Sequence, residues 1–109
     1  MQVDAKIYAD TLCIQIVGEL DEHTSEFARK SLDEELSNNE FKQVIIDLSE
    51  LNFMDSTGIG VLMGRYKKMR ERKIPIFIAN PSAQADKIFK MTALYDVMPK
   101  IKQEVKNGV

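Results

Sequence analysis

The sequence predicts an α/β fold, with an N-terminal β-hairpin leading into a mixed, mostly parallel sheet of roughly four to five strands covered by about four helices. Three observations predict it. Residues 3–8 alternate Val3, Ala5 and Ile7 against Asp4, Lys6 and Tyr8. Short, continuously apolar runs at Val44–Leu48 and Ile74–Ile78 are strand-like. Between and after those runs stand segments with apolar residues at three- and four-residue spacing. Strand, helix, strand, helix, strand with short connections implies right-handed crossovers and parallel neighbours.

Taken in order, Ala9-Asp10 separates the first strand from the apolar run Leu12–Val17, which makes the hairpin, and Gly18 is expected to end the second strand. Asp21 or Thr24 can cap a helix with Phe27, Ala28, Leu32 and Leu36 on one face, stopped by Asn38-Asn39. Val44-Ile45-Ile46-Asp47-Leu48 is expected at the centre of the sheet, buried on both faces. A helix then carries Ile59, Leu62, Met63, Tyr66 and Met69 inward. Pro75 near the start of Ile74–Ile78 places that strand nearer an edge. Asn80-Pro81-Ser82 opens a helix with Ala85, Ile88 and Phe89 inward, and a last helical segment has Val97, Ile101 and Val105 at four-residue spacing behind Pro99.

The 109 residues, 44% hydrophobic and 29% charged, have the size of one compact domain, residues 1–109. A net charge of −2 from 15 basic and 17 acidic side chains gives no sustained positive field, so direct binding to nucleic acid is not expected. Cys13, the single cysteine, lies in Leu12-Cys13-Ile14 and reads as a small buried hydrophobe in a reducing, cytoplasmic setting. No apolar run approaches the roughly 20 residues of a membrane span, and the N-terminus has no signal-like pattern. A soluble, unprocessed chain with no membrane partner is expected.

The informative segment is Asn52-Phe53-Met54-Asp55-Ser56-Thr57-Gly58-Ile59-Gly60, at a strand-to-helix junction on the ligand-facing edge of an open α/β sheet. The first turn of a helix has unpaired N–H groups and a dipole that favours negative charge. A phosphate on Ser56 would therefore be tolerated by the fold while adding roughly −1.5 to −2 charge to a surface. With Ile59, Leu62, Met63 and Tyr66 inward, Thr57, Val61, Gly64 and Lys68 fall on the outer face with Gly60 beside them. Each helical glycine costs roughly 1 kcal/mol relative to alanine, so Gly58, Gly60 and Gly64 need a compensating benefit: close packing on the sheet or close approach of a partner. The outward setting of Gly60 and Gly64 favours a partner for them, and Gly58, between the faces, could serve either purpose. On the residues alone, Asp55 or Ser56 as a simple N-cap ranks ahead of phosphorylation.

The run from Phe53 to Lys67, together with Gly18-Glu19-Leu20-Asp21-Glu22-His23-Thr24, resembles the anti-sigma factor antagonists of STAS fold across essentially the whole chain. Gly64-Arg65-Tyr66-Lys67 and the Gly-Glu-Leu-Asp opening are most similar to the sporulation branch, which acts on anti-sigma F. The resemblance implies partner switching. The unmodified protein binds a dimeric anti-sigma factor that is also a serine kinase and releases the sigma factor. The kinase phosphorylates the serine matching Ser56, the phosphorylated form lets go, and a PP2C-type phosphatase restores binding. Asp21 matches an aspartate near that serine, so the implied partner face comprises Asp21, Asp55, Ser56, Thr57, Gly58, Gly60, Val61 and Gly64. Thr57 departs from the pattern, where a second serine is common, as does Glu22, where the sporulation branch tends to have histidine.

An enzyme is not expected. Ser56 lacks a Gly-x-Ser-x-Gly setting and only His23 could serve as base. No Cys/His cluster suits a metal, and no phosphate-binding glycine loop suits a nucleotide, so no cofactor is expected. The alternative is a STAS interaction module of another regulatory or transport complex. Lys67–Lys73 reads as a solvated helix end that complements the dipole, and Tyr66, Met54, Met63 and Met69 as core filling.

Overall fold

The computed structural model describes residues 1–102. The hairpin forms as expected: β1 (Gln2–Tyr8) and β2 (Thr11–Leu20) pair antiparallel around Ala9-Asp10, with Ala9 at a φ of 56°. β2 then pairs in parallel with β3 (Gln43–Asp47), which pairs with β5 (Ile76–Ala79), which pairs with β6 (Lys100–Ile101). A short strand, β4 (Leu51–Met54), pairs with the far end of β2. Among the described residues the sheet is thus mixed and six-stranded, with three α-helices: α1 (Ser25–Asn38), α2 (Ser56–Glu71) and α3 (Ala83–Met91).

Several expectations are corrected. Gly18 does not end its strand. At φ 106° it forms the irregularity at which β2 leaves β3 and takes up β4 as its partner. Pro75 lies just before β5, where its missing N–H costs no ladder bond, and β5 is interior because β6 covers its other side. The segment after Pro99 is strand rather than helix: Ile78 N–H donates to Pro99 O at 2.9 Å and draws Lys100-Ile101 alongside β5. A 3₁₀ turn, Leu94–Asp96, stands in place of the expected last helix, and Val105 lies outside the described residues.

Ile14, Ile46 and Ile78 are in register across β2, β3 and β5 and are fully buried under the helices. Their neighbours Cys13, Ile45 and Phe77 point to the opposite face, lie outside the core cluster and are half-buried. β3 is therefore central, but only one of its faces is fully buried. Cys13 is not the buried hydrophobe expected. Partial burial, then the nearby Asp47 carboxylate, push its thiol pKa up, which favours the protonated thiol over the thiolate. In α1 the buried stripe is Ser25, Ala28, Leu32 and Leu36, while Phe27 is 53% exposed.

The far end of the sheet is fastened by Asp86. Tyr95 Oη donates to Asp86 Oδ1 at 2.6 Å, Lys100 Nζ meets the same oxygen at 3.0 Å, and Lys90 Nζ meets Oδ2 at 3.0 Å. The Tyr95 hydroxyl first, then the two ammonium groups, hold this carboxyl well below the usual carboxylate range. A depressed folded-state pKa contributes stability that is complete above the unfolded value of about 3.9 and is lost as pH falls below it. Urea unfolding from pH 5 down to pH 3 should show wild-type stability falling more steeply than that of Asp86→Asn. Parallel slopes would remove Asp86 from the acid response.

Candidate functional site

Because β2, β3, β4 and β5 run parallel, their C-terminal ends and the starts of all three helices share one edge of the sheet. The shift at Gly18 sets the site there. It brings Leu20 opposite Met54, and Asp55 N–H donates to Leu20 O at 3.2 Å, so the loop starting at Asp21 lies against the loop starting at Asp55. The Asp21 loop is braced internally. Asp21 Oδ1 accepts from His23 and Thr24 N–H at 2.9 and 3.1 Å, and Thr24 Oγ1 donates to Glu19 O at 2.9 Å. Asp21 thus shapes its loop, Thr24 stands at the N-cap of α1 without a side-chain cap bond, and Glu22 and His23 are exposed.

At the start of α2 the cap is Asp55. Its backbone is extended and its Oδ1 accepts from Thr57 N–H at 2.9 Å. Ser56 is therefore the first helical residue, exposed, and its hydroxyl is in no hydrogen bond among the described residues. Thr57 is half-buried beside it. Of the two hydroxyls, Ser56 is the more accessible.

The glycines divide. A Cβ on Gly58 would lie 2.4 Å from Met54 Cγ, 2.8 Å from Met54 Sδ and 3.1 Å from Leu20 Cδ2, so Gly58 is a packing glycine that lets α2 settle on the sheet. A Cβ on Gly60 or Gly64 would meet nothing within 4 Å among the described residues, so packing among them does not account for either. Val61, expected on the outer face, is fully buried. The inward stripe of α2 is Gly58, Val61, Leu62, Arg65 and Met69, whereas Ile59, Met63 and Tyr66 are half-buried at its flank. The helix is turned by roughly one residue step from the expected setting. The turned setting places Arg65 on the inward stripe, only 7% exposed. Its Nε lies 3.1 Å from Asp33 Oδ1 on α1, close enough for an ion pair but short of hydrogen-bond alignment, and its Nη1 donates to Val61 O at 3.2 Å. Lys68 completes the pair at 3.0 Å from Asp33 Oδ2. Gly58 and Val61 are therefore buried against the rest of the fold rather than on the outer face of α2.

Two residues at this edge carry no signal in local periodicity. Phe53, three positions before Ser56, is 43% exposed. Gln84, in the first turn of α3, turns its amide onto the backbone of Met54. Among the described residues no group of three or more His, Cys, Asp or Glu side chains could hold a metal, and no helix is long and apolar enough to cross a membrane.

The STAS domain model matches residues 2–108. The chain belongs to the STAS domain family. This STAS chain is 30% identical over 105 residues to the anti-sigma F factor antagonist of Paenibacillus polymyxa, covering 96% of this chain and 90% of that one. To the anti-sigma-B factor antagonist of Listeria monocytogenes it is 33% identical over 98 residues, covering 90% and 81%. Its fold matches the unphosphorylated form of the anti-sigma factor antagonist SpoIIAA with a TM-score of 0.78 at 24% identity, over 94% of this chain and 89% of that one.

Proposed function

We propose that this STAS chain is an anti-sigma factor antagonist, a single domain over residues 1–109 that acts in the cytoplasm by partner switching and is controlled by phosphorylation of Ser56. The observation that carries the reading is the division of labour at the start of α2, where Asp55 does the capping and Ser56 is exposed at the first helical position. Named relatives that span most of this chain support the antagonist class, and the likeness over 105 residues to an anti-sigma F factor antagonist supports the sporulation branch.

In this mechanism the unmodified edge docks on a dimeric anti-sigma factor serine kinase and releases the sigma factor. Asp21, Asp55, Ser56 and Thr57 form the docking centre. Gly60 and Gly64 give a low helix surface against which partner backbone can approach, and Phe53 adds an exposed apolar contact. The γ-phosphoryl of ATP held by the kinase passes to Ser56 Oγ, and the resulting dianion is held in the interface, where desolvation opposes it. Moving a switch from 1:99 to 99:1 needs about 5.5 kcal/mol, more than a solvent-screened rim charge supplies, so Ser56 lies within the interface. A PP2C-type phosphatase resets the site. This chain contributes binding and a phosphoacceptor, and no catalysis.

The test is to incubate the purified protein with an anti-sigma kinase and ATP and to locate the added phosphate by intact mass and peptide mapping. The expected result is one phosphate, on Ser56. A chain that neither binds the kinase nor gains mass would favour a STAS module of another complex, and phosphate on Thr57 alone would move the switch by one residue.

A further inference from the structure

β4 is a short strand that, among the described residues, has β2 on one side only, and its last residue, Met54, immediately precedes the Asp55 cap. Its second edge is closed by a side chain. Met54 N–H donates to Gln84 Oε1 at 3.1 Å, and Gln84 Nε2 donates back to Met54 O at 2.5 Å. One amide thus satisfies both backbone groups of one residue, as a neighbouring strand would. The Met54 side chain is fully buried under Gly58, so the residue is held from the side by Gln84 and from above by the first turn of α2. Gln84 itself is exposed and outside the core, while α3 is anchored independently by the Ser82 cap, with Ala85 N–H donating to Ser82 Oγ at 3.1 Å, and by the Asp86 cluster.

We propose that Gln84 is the positioning residue that sets the Met54-Asp55-Ser56 backbone for phosphoryl transfer. The inference rests on Ser56 being the phosphoacceptor. In that step the Ser56 Oγ–phosphorus bond forms, the bond from the γ-phosphorus to the bridging oxygen of ATP breaks, ADP leaves and the hydroxyl proton passes to a base on the kinase. In-line attack depends on where Oγ sits, and an offset of about 1 Å can cost about 100-fold in rate. The approach of Oγ depends directly on Gln84. Docking depends on it far less, because it is spread over the Asp21 loop, Thr57 and the outer face of α2, none of which Gln84 touches.

Gln84→Leu keeps a side chain of similar length and can neither donate nor accept. Steady-state phosphorylation of this variant by the anti-sigma kinase should show kcat down by about tenfold with KM within about twofold of wild type. In the free protein the Met54 amide should exchange about fivefold faster, with Ile46 unchanged and Tm preserved. Wild-type kcat together with unchanged Met54 exchange would overturn the proposal. A rise in KM that matches a fall in Tm would also overturn it, because that is the signature of general loosening. The two failures are distinct: if wild type itself takes no phosphate at Ser56, the phosphoacceptor reading falls and this role falls with it. If wild type is phosphorylated and Gln84→Leu matches it, only the role of Gln84 falls.

Discussion

Ser56→Asp should weaken binding to the anti-sigma kinase by about 100-fold or more, about 2.7 kcal/mol, while leaving the fold intact. The two halves of this expectation have separate causes. Within the chain, Ser56 is exposed at the first position of α2, where a carboxylate meets the positive end of the helix dipole, so thermal stability should hold or rise slightly. Across the interface the same carboxylate must lose its water without a matching cation, which is the origin of the loss. Ser56→Ala removes the acceptor oxygen and no packing, so it should bind like wild type and stay unphosphorylated. Titration calorimetry of the three proteins against the kinase is the measurement. An aspartate variant within about threefold of wild type would put Ser56 outside the interface.

Gly58→Val should destabilise the fold strongly, by about 3 kcal/mol or more, and the smaller change Gly58→Ala discriminates best between explanations. Alanine gains roughly 1 kcal/mol of helix propensity at any interior position, which is the whole expected effect at Gly60, where an added Cβ meets nothing. At Gly58 the same Cβ would overlap Met54 Cγ at 2.4 Å, and Met54 is fully buried with little room to yield. Overpacking of this kind costs about 1–3 kcal/mol, so the net sign reverses. Urea denaturation should therefore show Gly60→Ala with a raised midpoint and Gly58→Ala with a lowered one. Equal shifts in the same direction would mean that propensity alone governs both glycines, and that the seat of α2 on Met54 is loose.

The hairpin at Ala9-Asp10 and the buried strand around Ile46 were legible because local alternation and composition encode them directly. The start of α2 was legible to within one residue, since both Asp55 and Ser56 suit a cap. The choice between them depended on which carboxylate or hydroxyl reaches Thr57 N–H. The rotation of α2 was not legible. Periodicity treats an arginine as outward and a glycine as neutral, yet Arg65 is buried through Asp33 on another helix and Gly58 is inward because Met54 lies beneath it. Phe27 fails for the opposite reason. It is apolar and in phase with its neighbours, but α1 meets the sheet through Ala28, Leu32 and Leu36.

By itself the sequence determined the α/β class, the strand-to-helix junction at Ser56 and the presence of low, glycine-marked turns on the helix that follows. These are properties of residue type and short-range spacing, and they act before any tertiary contact forms. The tertiary structure alone decided which glycines are filled from within and which stay open, how the shift at Gly18 brings the Asp21 loop against Ser56, and that Gln84 closes the free edge of β4. Each of those is settled by a contact between residues far apart in the chain, whose free energy exists only once the sheet has brought them together.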